Sequence, residues 1–394
     1  MTEDRQRAKE IFAAGIAAAN PEAAVQRHLS RIIDAPALIV AVGKAAVAMA
    51  RAAGRAYPTA KTLVVTNYEN AQDLVGAKVF ASGHPVPDAA GAAAAKAVIA
   101  ALTTTDGPVL ALISGGGSAL LPAPVDGVSL TDKAQANAVL LGAGLDIVAM
   151  NLVRQQLSQL KGGGLLRFAR GPLTAFILSD VVGDDLSAIA SGPTVAPLGT
   201  AADAVTVLKR ANVWDDMPAS VQAHLTSDHH VRPLPQATNI LIGSNTQSVA
   251  AMHAAASNAN VIATPVEGDV ADAARLICDA AKTGITLWGG ETTVTLKGTG
   301  RGGRNQELAL RIAVEARARG WGDFTCLQGG TDGRDGPTDA AGGLVDQGTL
   351  DRINDLEGLL ANNDSYAALM QADDLLMWGA TGTNVADLGV LIRN

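Results

Sequence analysis

Leu38-Ile39-Val40-Ala41-Val42-Gly43-Lys44-Ala45-Ala46-Val47-Ala48-Met49-Ala50 is the stretch that decides the fold. Its first five residues are an unbroken apolar run too short for a helix, which predicts a strand buried on both faces. Gly43-Lys44 breaks the run, and the alanine-rich segment that continues to Ala53 has strong helix propensity. The same grammar returns at residues 62–66, 79–82, 109–113 and 174–178, with helical stretches between several of these runs. Asp88 is placed to cap a helix over 89–102. Strands apolar on both faces and separated by helices imply a largely parallel sheet covered on both sides. Residues from roughly 30 to 200 therefore read as a doubly wound α/β domain, in which ligands sit beyond the carboxyl ends of the strands.

Working outward, Asn20-Pro21-Glu22 is a helix start, with Asn as cap and Pro at the first helical position. Pro, His, Ser and Asp concentrate over residues 217–236, a shift in composition that reads as a domain junction. A second α/β region follows, with strands expected at 239–243, 261–264, 286–290, 292–297 and 324–328 and helices at 246–257, 271–282 and 304–319. Two domains are thus expected, 1–235 and a smaller 236–394, as a chain of 394 residues exceeds what one core usually serves.

A composition 48% hydrophobic and 17% charged describes a folded globular protein. The net charge of −8 argues against broad contact with nucleic acid or an anionic membrane, each of which needs a dense Lys/Arg surface. Cys278 and Cys326 have no metal or disulfide spacing and read as buried small residues. The charged start and the absence of a run long enough to span a bilayer make a cytoplasmic enzyme the simplest reading.

Chemistry concentrates where apolar runs stop. Gly43-Lys44, Ser114-Gly115-Gly116-Gly117-Ser118, Ser179-Asp180 with Gly183-Asp184-Asp185, Gly302-Gly303-Arg304-Asn305-Gln306-Glu307 and Gly329-Gly330-Thr331-Asp332-Gly333 crowd glycine with hydroxyls, amides, carboxylates and cations. Exposed N–H groups at such turns bind anions, so phosphate handling is the first hypothesis. Lys44 is odd as pure structure, because a cation at a helix start opposes the dipole. Arg304 can grip phosphate bidentately. Asp180, Asp184 and Asp185, like Asp332, Asp335 and Asp339, could hold Mg²⁺ or take a proton, or could simply shape turns.

On a helical wheel over residues 145–161, Asn151, Arg154, Ser158 and Lys161 share one arc, opposite Val153, Leu157 and Leu160; the stripe faces either a ligand or solvent. GxxxxGK[ST] is missing, which excludes a P-loop, and the first strand lacks GxGxxG, which weakens a dinucleotide site. His28, His224, His229, His230 and His253 lack metal spacing, and His84 before Pro85 reads as a turn residue.

Together with Lys161-Gly162-Gly163, the stretch 289–296, the stretch 330–342 and Thr381-Gly382-Thr383-Asn384-Val385, these strings resemble the glycerate 2-kinase family, whose C-terminal portion is the MOFRL domain. Some members carry the label hydroxypyruvate reductase. The resemblance covers essentially the whole chain and rests on the order and spacing of the strings. It implies a Rossmann-like N-terminal domain, a smaller MOFRL-type domain, and ATP- and Mg²⁺-dependent phosphorylation of D-glycerate at its 2-hydroxyl in the cleft between them. The residues expected to be essential are Lys44 and Arg304. Ala380 stands where the family commonly has proline.

The expected mechanism is direct in-line transfer, with Asp180 joining Lys44 and Arg304 as catalytic groups and Asp180 and Asp332 as metal ligands. Ser114, Gly115, Gly116, Gly117, Ser118, Arg154, Lys161, Asn245, Glu291, Asn305 and Glu307 are expected to bind substrate or nucleotide, with Arg154 or Lys161 orienting the carboxylate. Alanine at Lys44 or Arg304 is expected to cut turnover by orders of magnitude and leave folding intact. The partners expected are D-glycerate and ATP, without nucleic acid or membrane, and a homodimer is left open. The rival readings are an NAD(P)H-dependent hydroxypyruvate reductase and a non-catalytic phosphometabolite sensor.

Overall fold

The computed structural model describes residues 2–228 and 233–394, so His229 and His230 lie outside the described residues. Its strands are β1 Leu38–Val42, β2 Lys61–Asn67, β3 Ala77–Ser82, β4 Val109–Ile113, β5 Leu173–Leu178, β6 Thr238–Gly243, β7 Asn260–Val261, β8 Val266–Asp269, β9 Gly284–Thr293, β10 Phe324–Gly330, β11 Gly342–Asp346, β12 Leu375–Leu376 and β13 Asp387–Arg393. The first six form one sheet in the order β3-β2-β1-β4-β5-β6. Pairing of β1 with β2 and β4, β2 with β3, and β4 with β5 is parallel. Strands β1 and β4 are buried along their whole length, as their two-faced apolar pattern requires. Strand order reverses between β1 and β4, and a reversal of this kind is where open α/β sheets bind ligands.

Two compact units divide the chain, one of Pro21–Leu178 with Asp184–Ile242 and the other of Met1–Asn20, Ser179–Gly183 and Gly243–Asn394. This differs from the division expected at 235/236. Strand β6, which opens the later region in the sequence, pairs into the first sheet, and the first helix belongs with the later unit.

That helix, Glu3–Ala18, places Ala8, Ile11 and Phe12 in a core with Met252, Leu327, Leu388 and Val390. Ile11 and Phe12 are fully buried, a gain of about 1.5–3 kcal/mol each by transfer. Arg5 extends the docking with hydrogen bonds to the Asp346 and Asp374 carboxylates and to the Leu344 carbonyl.

The second sheet has the order β12-β11-β10-β13-β9-β7, with β8 on β9. It is mixed: β13 runs antiparallel between β10 and β9, whereas β7 and β8 lie parallel to β9. Its other face packs on Val270, Ile277, Leu308 and Ile312 from the helices Val270–Ala280 and Arg304–Ala318. In place of the two strands expected at 286–290 and 292–297 there is one, β9, which runs on through Glu291 and ends at Thr293, so residues 294–297 are not strand.

Candidate active site

In the first unit the site begins with glycine. Gly43 closes β1 at φ +125°, and a Cβ there would fall 2.2 Å from the Ser114 Oγ and 2.4 Å from its carbonyl oxygen, so no other residue fits. That close approach joins the two turns at the strand-order reversal. Lys44 N–H donates to the Gly115 carbonyl (2.9 Å), and Ala45 N–H donates to the Ser114 Oγ (3.1 Å). Gly116, at φ +83°, would carry a Cβ 3.2 Å from Lys44 Cγ and from the His84 ring. The Lys44 stem therefore lies over the Ser114–Ser118 loop. Burial, with the Lys44 charge adding, holds His84 below its ordinary pKa.

Among the described residues the N–H groups of Gly115, Gly116, Gly117 and Ser118 have no acceptor within the protein. Successive unpaired donors beside a lysine make an anion nest. None of Lys44, Lys133, Arg154 and Lys161 forms an ion pair among the described residues, although the Glu69 carboxylate is near enough to interact with the Lys44 charge. Arg154 Nε donates to Asn137 Oδ1 (2.8 Å), and Lys133 Nζ donates to the Leu157 carbonyl (2.9 Å).

The polar stripe resolves differently from its wheel. The helix Ile147–Gln156 stops before Ser158 and Lys161, yet Asn151, Ser158 and Lys161 are all buried. Lys161 folds under the loop, where its Nζ donates to Ser118 Oγ and to Ser191 Oγ (3.4 Å). The stripe is thus an internal polar cluster and not a solvated face. Of its members Arg154 alone is half exposed.

In the second unit the helix Arg304–Ala318 starts on Gly303, which has no side chain to cap it. Asp335 supplies the cap from a distant loop, its carboxylate accepting the N–H groups of Asn305 (3.1 Å) and Gln306 (2.9 Å). Arg304 then lies against Asp387 at the start of β13, with Nε donating to Oδ2 (2.6 Å) and Nη2 to Oδ1 (3.1 Å). Nη1 pairs with Glu291 Oε1 (2.8 Å). The guanidinium has five N–H donors, so this clasp fixes its plane and still leaves N–H bonds for a ligand. Burial pushes the Asp387 carboxyl up to about 6, against the pull of Arg304, and burial raises Asp335 as well.

Beneath lies a chain of amides. Trp288 Nε1 donates to Gln328, Gln328 to Asn305, and Asn305 to both Asp335 and Asp387.

Family comparisons agree with this architecture. The DUF4147 family, described as a domain of unknown function, matches residues 7–226, and the MOFRL family matches residues 284–387. The glycerate 2-kinase of Pyrococcus horikoshii is 37% identical over 90% of this chain and 86% of its own. The D-glycerate 2-kinase of Thermotoga maritima is 37% identical over 96% of each. The chain belongs to the glycerate 2-kinase family. A crystal structure of the Thermotoga maritima glycerate kinase superposes with a TM-score of 0.92 at 35% identity, covering 99% of both chains. A relative from Agrobacterium vitis, 37% identical over 98% of this chain, carries hydroxypyruvate reductase as a provisional name.

Several residues expected to bind ligand in this glycerate 2-kinase family member serve the framework instead. Asn305 is 1% exposed and fully engaged in the amide chain. Glu307 is 3% exposed and pairs with Arg311 one turn on. Asn245 is buried and ties the Val385 and Asp387 carbonyls together. All three sit in a first helical turn, where polar residues usually meet solvent, so their sequence position suggested exposure. Glu291 does reach Arg304, as its partner. Asp180 lies in the short Ser179–Gly183 segment of the second unit, and Asp332 Oδ1 accepts the Arg334 N–H (3.0 Å) of its own turn. Sequence reasoning missed Asp387 and Ser191. A lone acid at the head of an apolar strand was the available signal for the first, and Ser-Gly-Pro at 191–193 for the second.

The unpaired lysines set a sign for pH dependence. Burial and the Arg154 charge lower Lys133 to about 7, and burial first, then the charges of Lys133 and Arg154, hold Lys161 well below the ordinary lysine range. A depressed folded pKa means that stability is complete above the unfolded value and is lost as pH falls through the folded one. Thermal stability should therefore rise between about pH 7 and about pH 10, and Lys133→Met should flatten that rise. Melting curves of both proteins across this range check the difference; equal slopes would refute it.

Proposed function

We propose that this protein is a glycerate 2-kinase that transfers the γ-phosphoryl group of ATP directly, in line, to the 2-hydroxyl of D-glycerate. The observation that carries the reading is the row of N–H groups at residues 115–118, unpaired among the described residues and beside Lys44, where the strand order reverses. Such donors are preorganised for phosphate oxygens, and little else is asked of a protein in phosphoryl transfer than position and charge. The names of the Pyrococcus and Thermotoga relatives support the same substrate.

In this reading Lys44 and Arg304 neutralise phosphate charge, the latter with its plane held by Asp387. Arg154, whose Nη groups have no partner among the described residues, takes the glycerate carboxylate. Asp180 accepts the proton of the attacking hydroxyl. Among the described residues no three His, Cys, Asp or Glu side chains cluster as a metal cage. Mg²⁺ in such reactions needs only one or two carboxylates beside phosphate oxygens and water, and Asp332 Oδ2, without a partner among the described residues, is a donor of that kind. Asp332 and Asp180 would hold the ion, which would offset phosphate charge when bound. No described helix is long and apolar enough to cross a membrane, and we take the enzyme to act in the cytoplasm.

Incubation with Mg²⁺-ATP and D-glycerate, followed by phosphorus NMR, should show ADP and 2-phosphoglycerate. A 3-phospho product would correct the regiochemistry. Oxidation of NAD(P)H by hydroxypyruvate without any phosphate ester would replace the kinase reading altogether.

A further inference from the structure

Lys161 is a buried lysine with no acidic partner among the described residues. Its Nζ contacts Ser118 Oγ and Ser191 Oγ, and it forms one wall of a cavity of about 20 Å³ lined by Val42, Ile113, Leu121, Leu165 and Ala190. A space of that size holds one water at most, and its other walls are apolar. The charged groups that act on Lys161 are the cations Lys133 and Arg154, so both burial and charge favour its neutral amine.

The hydrogen bonds around it have a direction. Ser191 donates its proton to Asn151 Oδ1 (3.2 Å), and its Oγ lies 2.7 Å from Ser118 Oγ. The Asn151 amide oxygen ends the chain, as it takes no proton near neutral pH. A proton leaving Ser118 therefore has Lys161 as its one base in this cluster. Ser118 itself is half exposed, whereas Ser191 and Lys161 are 1% and 6% exposed. The arrangement is a nucleophile at the surface, a base behind it and a second hydroxyl orienting both. The N–H groups of Gly117 and Ser118, unpaired among the described residues, belong to the nucleophile's own residue and the one before it.

We propose that Ser118 is an activated nucleophile, with Lys161 as its general base and Ser191 as a positioning residue, and that it cleaves small carboxylic esters. Ser118 Oγ adds to the ester carbonyl carbon as its proton passes to Lys161 Nζ. Collapse of the adduct breaks the bond to the alcohol oxygen, which leaves with that proton, and acyl-Ser118 remains. Water then adds to the acyl carbon with Lys161 taking its proton; the acid is released and Ser118 recovers its hydrogen. Nucleotide and glycerate play no part, so the proposal stands apart from the kinase reading.

A fluorophosphonate tests it directly, since attack forms an O–P bond and expels fluoride. The full-length protein at about pH 8.5 should acquire one adduct, mapped by peptide mass spectrometry to Ser118, and should release p-nitrophenol from its acetate ester. Lys161→Arg, which keeps size and hydrogen bonding but not a neutral amine, should slow both reactions by at least about a hundredfold, as should Lys161→Met. Ser118→Ala should abolish both with an unchanged melting temperature. An unlabelled Ser118 in natively melting protein would overturn the proposal, and so would labelling of Lys161→Arg at the wild-type rate.

Discussion

Lys44→Ala lowers glycerate phosphorylation about a hundred- to a thousandfold, the cost of removing one preorganised charge from a site of developing charge. Stability is expected to stay level or to increase slightly. The Lys44 side chain has no ion pair among the described residues, and its ammonium opposes the dipole of the helix Ala46–Ala56 that follows. Steady-state kinetics with a thermal melt on the same preparation check both halves. Turnover within about threefold of wild type would remove Lys44 from the reaction, and a large loss of stability would make it a structural residue.

Arg304→Ala is expected to fail twice. Turnover falls by a similar factor, and the fold loses about 3–5 kcal/mol, because the change strands Asp387, 3% exposed, without its cation. Sequence alone suggested that such a truncation would spare folding; the buried clasp says otherwise. The sign with pH follows from the raised carboxyl. Folded Asp387 titrates at about 6 against 3.8 for a free carboxyl, and a raised pKa gives stability that is complete below the unfolded value and lost as pH rises through the folded one. That value already includes the pull of Arg304, so its loss should raise the carboxyl further, and the deficit of Arg304→Ala should be small near pH 4 and grow as pH rises above about 6. Arg304→Ala/Asp387→Asn should recover most of the stability and none of the turnover. Denaturant unfolding at the two pH values separates the effects, and a double variant no more stable than the single would show that the clasp is not what holds this region.

The parts legible in the sequence were those fixed by neighbours in the chain. β1, β4 and their glycine turns could be read because two-faced burial and a broken apolar run are local signals, and they suffice to place Lys44 and residues 114–118 at one end of the sheet. The resemblance to the glycerate 2-kinase family rested on the same turns. What stayed hidden was set by distant partners. Asp335 caps a helix thirty residues before it in the chain. Asp387 looks like an interruption in an apolar strand until Arg304 is laid on it. Asn305 and Glu307 have the composition of an exposed first turn, and only the burial of that turn against β10 and β13 turns them inward. The wheel over residues 145–161 grouped the right polar residues for the wrong reason, since Ser158 and Lys161 lie past the helix end and reach the cluster by a turn.

The docking of the helix Glu3–Ala18 bears on how the protein is made. Synthesis runs from the amino end, so Ile11 and Phe12 leave the ribosome long before β13, the strand that lies between β10 and β9 and supplies Leu388 and Val390 to the same core. The first sheet can assemble meanwhile from residues already released. The apolar face of this helix must then wait in solvent, or in the grip of a chaperone, until the carboxyl-terminal strand arrives to receive it. Deleting some twenty leading residues would spare the nearer sheet and injure the farther one.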